Sequence, residues 1–326
     1  MLACVSLIVG PIPIPLAATV GWVLGWDGMS GIALSETQQA ILWELRLPRI
    51  LTACLVGGSL GISGVGFQGL FRNPLADPYV IGASSGAALG VTLALVVGFQ
   101  FSLLGLGGTA LAAFLGSILS VVAVFTIGSI GDNRSPLSLL LAGVALSSMI
   151  NALVSLLMYM HDEKVVVILA WLMGSLTGND WRGVLTTSIG ALIGFAILLS
   201  LSRPLDVFLL GDLTSQSLGL DLIRFRVLVV TGSSIATAAA VAAAGIIGFV
   251  GLIAPHIARA LVGPRHAWLI PMSGCVGAAI LLLADGLART VVAPAELPVG
   301  IVTAILGCPF FLFVLKSRST LGGTAS

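Results

Sequence analysis

Side chains able to do covalent or metal chemistry are few in this sequence. It holds three histidines, His161, His256 and His266, four cysteines, Cys4, Cys54, Cys275 and Cys308, and two lysines, Lys164 and Lys316. The histidines stand far apart without an H-E-x-x-H pair, which argues against a zinc protease. The cysteines lie singly in apolar stretches and have neither the spacing of a zinc site nor that of a disulfide framework; they read as small buried hydrophobes. A phosphate-cradling Walker A loop needs a lysine directly after glycine, but Lys164 follows Glu163 and Lys316 follows Leu315. The chain therefore cannot bind ATP by that route.

Two further arrangements could carry chemistry. Gly82-Ala83-Ser84-Ser85-Gly86 loosely resembles the G-x-S-G nucleophile turn of rhomboid intramembrane proteases, with His256 as a base. The extra serine breaks that spacing, and a Ser–His pair is recognised by geometry. Asp285 and Arg289, spaced i, i+4 in an otherwise apolar run, suit an ion pair. Ionisable residues within spans usually mark a path or a partner. Their scarcity here disfavours a proton-coupled secondary transporter and implies that energy arrives from outside the membrane.

The elements that position these residues are membrane spans. Of the 326 residues 58% are hydrophobic and 8% charged, with a formal net charge of +1, and the mean hydropathy is +1.15. A soluble domain carries roughly 25% charged residues. This composition excludes a soluble enzyme, a disordered chain and a nucleic-acid binder that works by bulk positive charge. It predicts an all-α polytopic transmembrane bundle, a single domain over 1–326. At about 20 apolar residues per crossing, spans fall near 2–25, 48–71, 79–99, 106–130, 137–160, 183–202, 225–244, 246–262, 268–288 and 298–316. The opening residues Met1-Leu2-Ala3-Cys4 lack the basic region of a cleavable signal peptide, so 2–25 reads as the first span. Val165–Met173 is too short to cross and reads as re-entrant or interfacial.

Ten spans put both termini on one side. With that side cytoplasmic, the inner segments carry nine basic residues (Arg72, Arg134, Arg203, Arg224, Arg226, Arg259, Arg265, Lys316, Arg318) and the outer side five (Arg46, Arg49, Lys164, Arg182, Arg289). The outer arginines run against this rule and need another reason to exist. Gly57 and Gly61, and Gly82, Gly86 and Gly90, recur at four-residue spacing, which suits close helix packing.

Four segments depart from plain spans: Leu45-Arg46-Leu47-Pro48-Arg49, Gly64 to Pro78 (GVGFQGLFRNPLADP), Gly248 to Arg259 (GFVGLIAPHIAR) and Ala295-Glu296-Leu297-Pro298-Val299-Gly300. In their order and separation they resemble the iron-chelate and cobalamin permease family of ATP-binding-cassette importers, over residues of about 40–316. The resemblance implies a ten-span subunit of the bacterial cytoplasmic (inner) membrane that pairs with a second copy or a close paralogue. It implies two cytoplasmic ATPase subunits, which hold the ATP and magnesium, and a periplasmic or lipoprotein substrate-binding protein. It implies no cofactor or metal on this chain.

Residue by residue, the resemblance assigns Arg46, Arg49 and Arg289 to docking the binding protein, where arginine suits bidentate capture of carboxylates. The plainer reading pairs Arg289 with Asp285, and Arg46 with Glu44 or lipid phosphate. Asn73 and Leu75, with Ser135 and Pro136, match the family's cytoplasmic gate, although Pro136 departs from its usual hydroxyl and Asn73-Pro74 is also a good turn starter. The inner loop 203–226 matches the family's pair of coupling helices. Its residues Leu210, Gly211, Asp212, Leu218 and Gly219 flank or form a short helix that Asp212 could cap; an ordinary solvated loop is the plainer reading. Trp171-Leu172-Met173-Gly174-Ser175-Leu176-Thr177-Gly178-Asn179-Asp180-Trp181 resembles the iron-chelate version of the family. The expected cargo is a ferric siderophore or related iron complex, then haem, then cobalamin.

Overall fold

The computed structural model describes residues 21, 34–98, 102–103, 106–128 and 136–322. Most of the expected first span and Ser135 of the expected gate lie outside the described residues.

The described chain is helical apart from a two-residue antiparallel pairing of Ser102–Leu103 with Leu106–Gly107. We number the helices α1 (Glu36–Leu70), α2 (Ala83–Val97), α3 (Gly108–Gly128), α4 (Pro136–Met160), α5 (Val165–Leu172), α6 (Trp181–Ser200), α7 (Ser202–Phe208), α8 (Asp212–Ser217), α9 (Leu222–Ala244), α10 (Val250–Val262), α11 (His266–Thr290) and α12 (Val299–Gly322). Among the described residues, six helices are long and apolar enough to cross a membrane: α1, α3, α4, α6, α9 and α11. Three shorter apolar stretches, Ala83–Val97, Val250–Val262 and Val299–Leu312, accompany them. The short α5 is the stretch expected not to cross.

Helix α1 begins well before the expected start at residue 48. Ser35 accepts from the Gln38 amide while the Gln38 side chain accepts from the Ser35 amide, a capping box that nucleates the helix in a polar segment. A π-helical turn, Ile41–Arg46, then carries it up to Pro48. Such a widened turn relieves the clash and the lost hydrogen bond that proline brings to a helix. Arg46 and Arg49 therefore sit within a continuous helix, not at its mouth.

Helix α1 is the axis of the molecule. A methyl group on Gly57 would fall inside the Gly277 carbonyl of α11, one on Gly61 inside that of Ser273, and one on Gly64 inside that of Gly251 in α10. Backbones in such contact need small residues at the crossing, as the four-residue glycine spacing predicts. Gly86 and Gly90 pack α2 in the same way onto Gly116 and Ala112 of α3. Side-chain packing completes two cores, one around Phe67, Leu198, Leu205, Phe208 and Leu269, the other around Leu42, Leu60, Leu281 and Val299. The first surrounds the C-terminal half of α1, the second its N-terminal half.

Candidate functional sites at the two ends of the bundle

The loop 203–226 folds as two short helices, α7 and α8, and its last residues already belong to α9. Leu205 and Phe208 turn into the core, while four of its leucines face outward. Leu213 is 82% exposed, Leu218 63% and Leu210 61%, and Leu209 is exposed beside them. Gly211 (φ 103°) and Gly219 (φ 85°) adopt backbone conformations that side chains resist, and they bracket α8. The Leu220 and Gly219 amides close the helix on the Ser215 and Gln216 carbonyls, the paired bonds of a Schellman cap.

Asp212 does not cap α8. Gly211 is the N-cap residue, and it makes no side-chain cap bond. The Asp212 carboxylate instead joins two guanidinium groups: Oδ1 accepts from Arg72 Nη2 at 2.5 Å and Oδ2 from Arg226 Nη2 at 2.6 Å. Arg72 also donates from Nε and Nη2 to the Phe208 carbonyl, at 3.1 and 2.7 Å, and lies 4.0 Å above the Phe208 ring. On the other side, Asp206 of α7 accepts from the His266 amide at 3.1 Å and bonds its Nδ1 at 2.5 Å. The short helices are thus tied by side chains to the ends of α1, α9 and α11. The sequence offered Arg72 and Arg226 only as inner basic residues, Arg72 also as part of an unusual segment, and Asp206 only as a member of the inner loop; it did not assign His266 a role, and it did not bring these four together.

Asn73 and Leu75 follow directly after Arg72. Asn73 Oδ1 accepts from the Leu75 amide at 2.9 Å and its carbonyl from the Ala76 amide at 3.0 Å, so the asparagine holds the turn by its own side chain. Asp77 continues it by accepting from the Tyr79 amide at 2.8 Å. Burial pushes the Asp77 carboxyl up to about 6, against the downward pull of that amide. Pro136 is the first residue of α4.

The Leu47–Leu70 part of α1 is about 36 Å long, at 1.5 Å for each of its 24 residues, and a second cluster lies at its far end. There Arg49 Nη2 lies 2.8 Å from Oδ1 of the fully buried Asp285, and its Nη1 2.9 Å from Glu296. Arg289 Nε lies 3.1 Å from the other Asp285 oxygen. Thr177 donates to Glu296 at 2.9 Å, bringing the α5–α6 segment into the cluster. Partial burial raises the Glu296 carboxyl, but Arg49, the hydrogen bonds from Arg49 and Thr177, and Arg289 outweigh it and hold the group below the usual carboxylate range. Arg46 is buried at the same end of α1. Two arginines, Arg49 and Arg289, face two carboxylates here, Asp285 and Glu296. The i, i+4 pairing of Asp285 with Arg289 was legible in the sequence. Glu296 and Thr177 were each legible only as part of an unusual segment, and their meeting was not legible.

Between the two ends, α4 carries an exposed stripe of Ser148, Asn151 and Ser155. The two serines donate back to the carbonyls of Val144 and Asn151, at 2.9 and 3.0 Å. Asn151 sits near the middle of the helix with its side chain exposed. Ser85 is buried; its hydroxyl donates to the Gly82 carbonyl at 3.0 Å and shares a hydrogen bond with the Ser147 hydroxyl at 3.2 Å. No base is among its partners, while His256 packs edge-on against Phe310. The contacts described for Ser85 and His256 do not pair the two with each other.

Comparison with known proteins fits this arrangement. The family model described as the FecCD transport family matches residues 1–317. The cobalamin import system permease protein BtuC of Halobacterium salinarum is 41% identical over 283 residues, covering 87% of this chain and 75% of the relative. The molybdate import system permease protein MolB of Haemophilus influenzae is 42% identical, covering 90% and 85%. The hemin transport system permease protein HmuU of Yersinia pestis is also 42% identical, covering 92% and 93%. A solved structure described as an inward-facing conformation of a metal-chelate-type ABC transporter aligns with a TM-score of 0.83 at 38% identity, covering 97% of this chain and 95% of its own. The chain belongs to the FecCD transport family, the membrane permeases of ATP-binding-cassette importers.

Proposed function

We propose that this chain is the permease subunit that carries a ferric siderophore or related iron complex into the cytoplasm. It works as a dimer of ten-span subunits in the bacterial cytoplasmic membrane, both termini inside, with two separate ATPase subunits and a periplasmic or lipoprotein binding protein. The observation that carries this reading is the set of exposed leucines around α8, one on the helix and three in the turns that flank it. Leu209, Leu210, Leu213 and Leu218 lie beyond the ends of the long apolar helices, at the end where Arg72 and Asp212 mark an aqueous boundary. Exposed apolar patches rimmed by charge mark protein contacts, and the contact fitting this one is the ATPase. Gly211 and Gly219 set the angle of the seat.

At the far end, Arg46, Arg49 and Arg289 serve the binding protein, whose carboxylates would compete with Asp285 and Glu296. The turn Asn73–Leu75, with Ser135 and Pro136, forms the inner gate. The stripe Ser148–Asn151–Ser155 supports a dimer with a polar path: a side-chain amide facing hydrocarbon is costly, so the stripe suits a second subunit or the passage between subunits. The Trp171–Trp181 segment favours an iron chelate. Haem or cobalamin is the second reading, favoured by relatives of equal identity that are named for hemin and cobalamin import.

The test is reconstitution of the chain with its ATPase and binding protein in liposomes. ATP hydrolysis stimulated by the loaded binding protein, with uptake of radiolabelled ferric siderophore, is the expected result. Uptake of hemin or cyanocobalamin instead would move the substrate assignment. Purification without any ATPase, under conditions that preserve the fold, would overturn the reading.

A further inference from the structure

Arg72 stands where a helix end favours glycine. Phe71 closes α1, the Arg72 amide donates to the Gly69 carbonyl at 3.2 Å, and the Asn73 amide donates to that of Gln68 at 3.1 Å. These are the paired bonds of a Schellman cap, whose residue after the cap is left-handed, and Arg72 has φ 48°. Gly219 fills the equivalent position after α8. An arginine held against its backbone preference points to work that glycine cannot do.

Its side chain shows what that work is. Every polar contact described for Arg72 runs to the short helices: two hydrogen bonds to the Phe208 carbonyl, one to the Asp212 carboxylate, and the stacking on the Phe208 ring. Its main chain leads straight into Asn73, which holds the Leu75 and Ala76 amides. Arg226 grips the second oxygen of Asp212 from α9, so the carboxylate is held from both sides. On the far side of α7, Asp206 is tied to His266 at the start of α11.

We propose that Arg72 is the positioning residue that transmits movement of α7 and α8 into the turn Asn73–Pro78, with Asp212 as the far end of the strut and the Asp206–His266 tie as its pivot. The proposal rests on the reading that α7 and α8 seat on the ATPase. A guanidinium suits the part because it is planar, always charged and fixed along several directions at once. A displacement of Phe208 or Asp212 must move the Arg72 backbone or break charge-assisted bonds. Since Arg72 has no helical turn between it and Asn73, the displacement arrives at the turn undiluted.

The experiment uses the permease with its ATPase in proteoliposomes, in a background with Cys4, Cys54, Cys275 and Cys308 replaced by serine. Leu75→Cys reports the turn through its rate of maleimide labelling, with and without ATP plus vanadate. Arg72→Gly is the informative variant, because glycine suits the left-handed position and leaves the backbone cap intact: a purely structural role of the side chain predicts at most a lower thermal midpoint, with the nucleotide-dependent labelling ratio unchanged. The strut predicts that the nucleotide-dependent ratio of labelling rates, several-fold in the parent, falls to unity. Asp212→Asn should give the same loss, and the double variant no further loss, because each change breaks one link. A parental ratio surviving in Arg72→Gly overturns the proposal. Should Arg72→Gly fail to assemble, survival of the ratio in Asp212→Asn overturns it equally, since that carboxylate is exposed and its change removes no packed volume. A parent that does not retain its ATPase sinks the coupling reading itself, an outcome seen before any variant is made.

Discussion

The phenol of Tyr79 makes both hydrogen bonds of one backbone residue: it donates to the Ile247 carbonyl at 3.1 Å and accepts from the Ile247 amide at 3.2 Å. Ile247 lies in the irregular link between α9 and α10, with Gly245 (φ 68°) at its start and Phe249 (φ 69°) at its end. Non-helical backbone within a membrane protein is tolerated only where the protein itself satisfies it. Tyr79→Phe leaves both Ile247 groups without that partner and should cost about 1–3 kcal/mol for each buried group left unsatisfied. Thermal unfolding in detergent, followed by loss of the monodisperse peak, measures it; an unchanged midpoint would show that water or lipid reaches the link.

The docking arginines make a salt-dependent prediction. Arg46→Glu with Arg49→Glu should weaken binding-protein affinity roughly 30-fold or more at low ionic strength, about 2 kcal/mol, as expected for loss of partly desolvated charge pairs. High salt should narrow the gap. Glu296→Gln should act in the opposite sense, because Arg49 loses the more exposed of its two internal carboxylates and keeps only Asp285, which leaves its Nη1 more available to the partner. Equal affinities across the three proteins at low salt would assign these arginines to the bundle alone.

Gly219 has open space around it and a left-handed backbone. Gly219→Val meets no neighbour but pays the conformational penalty of a β-branched residue at positive φ, roughly 1–2 kcal/mol. The end of α8 should re-form differently, and uptake per ATP hydrolysed should fall while the yield of folded protein is kept. Normal uptake per ATP in this variant would remove Gly219 from the coupling seat.

Asp77 supplies a pH dependence. Its carboxyl is raised by burial to about 6, from an ordinary 3.8. Between these values the folded state binds more protons than the unfolded one, so stability is greatest at low pH and falls as pH rises through the window. Asp77→Asn keeps an oxygen for the Tyr79 amide and carries no charge. Its thermal midpoint should exceed the wild-type value at pH 7, with the difference closing as pH falls towards 4. A difference independent of pH would show that Asp77 does not titrate in this range.

Much of this architecture was legible in the sequence because apolar runs and small-residue spacing are strong one-dimensional signals. The packing of Gly57 and Gly61 and the pairing of Asp285 with Arg289 follow from such local patterns. The early start of α1 was not legible, because the Ser35–Gln38 capping box lies in a polar stretch and Pro48 reads as a helix start when the π-turn before it cannot be seen. Asp212 was misread for a related reason. A carboxylate next to glycine looks like a cap, and only the fold brings in Arg72, 140 residues away in sequence. Thr177 and Glu296, 119 residues apart, meet by the same long-range route.

The glycine contacts of α1 have a mechanical consequence. Where Gly57 and Gly61 meet the carbonyls of Gly277 and Ser273, backbone touches backbone directly, which leaves little side chain to change rotamer and absorb a shear. Helices α1 and α11 must then turn together as one stiff lever. One arm ends at Arg72, beside the short helices, and the other at Arg49 and Asp285, so a small rotation imposed at the first is read as a sideways stroke at the second, with no messenger between them but the lever itself.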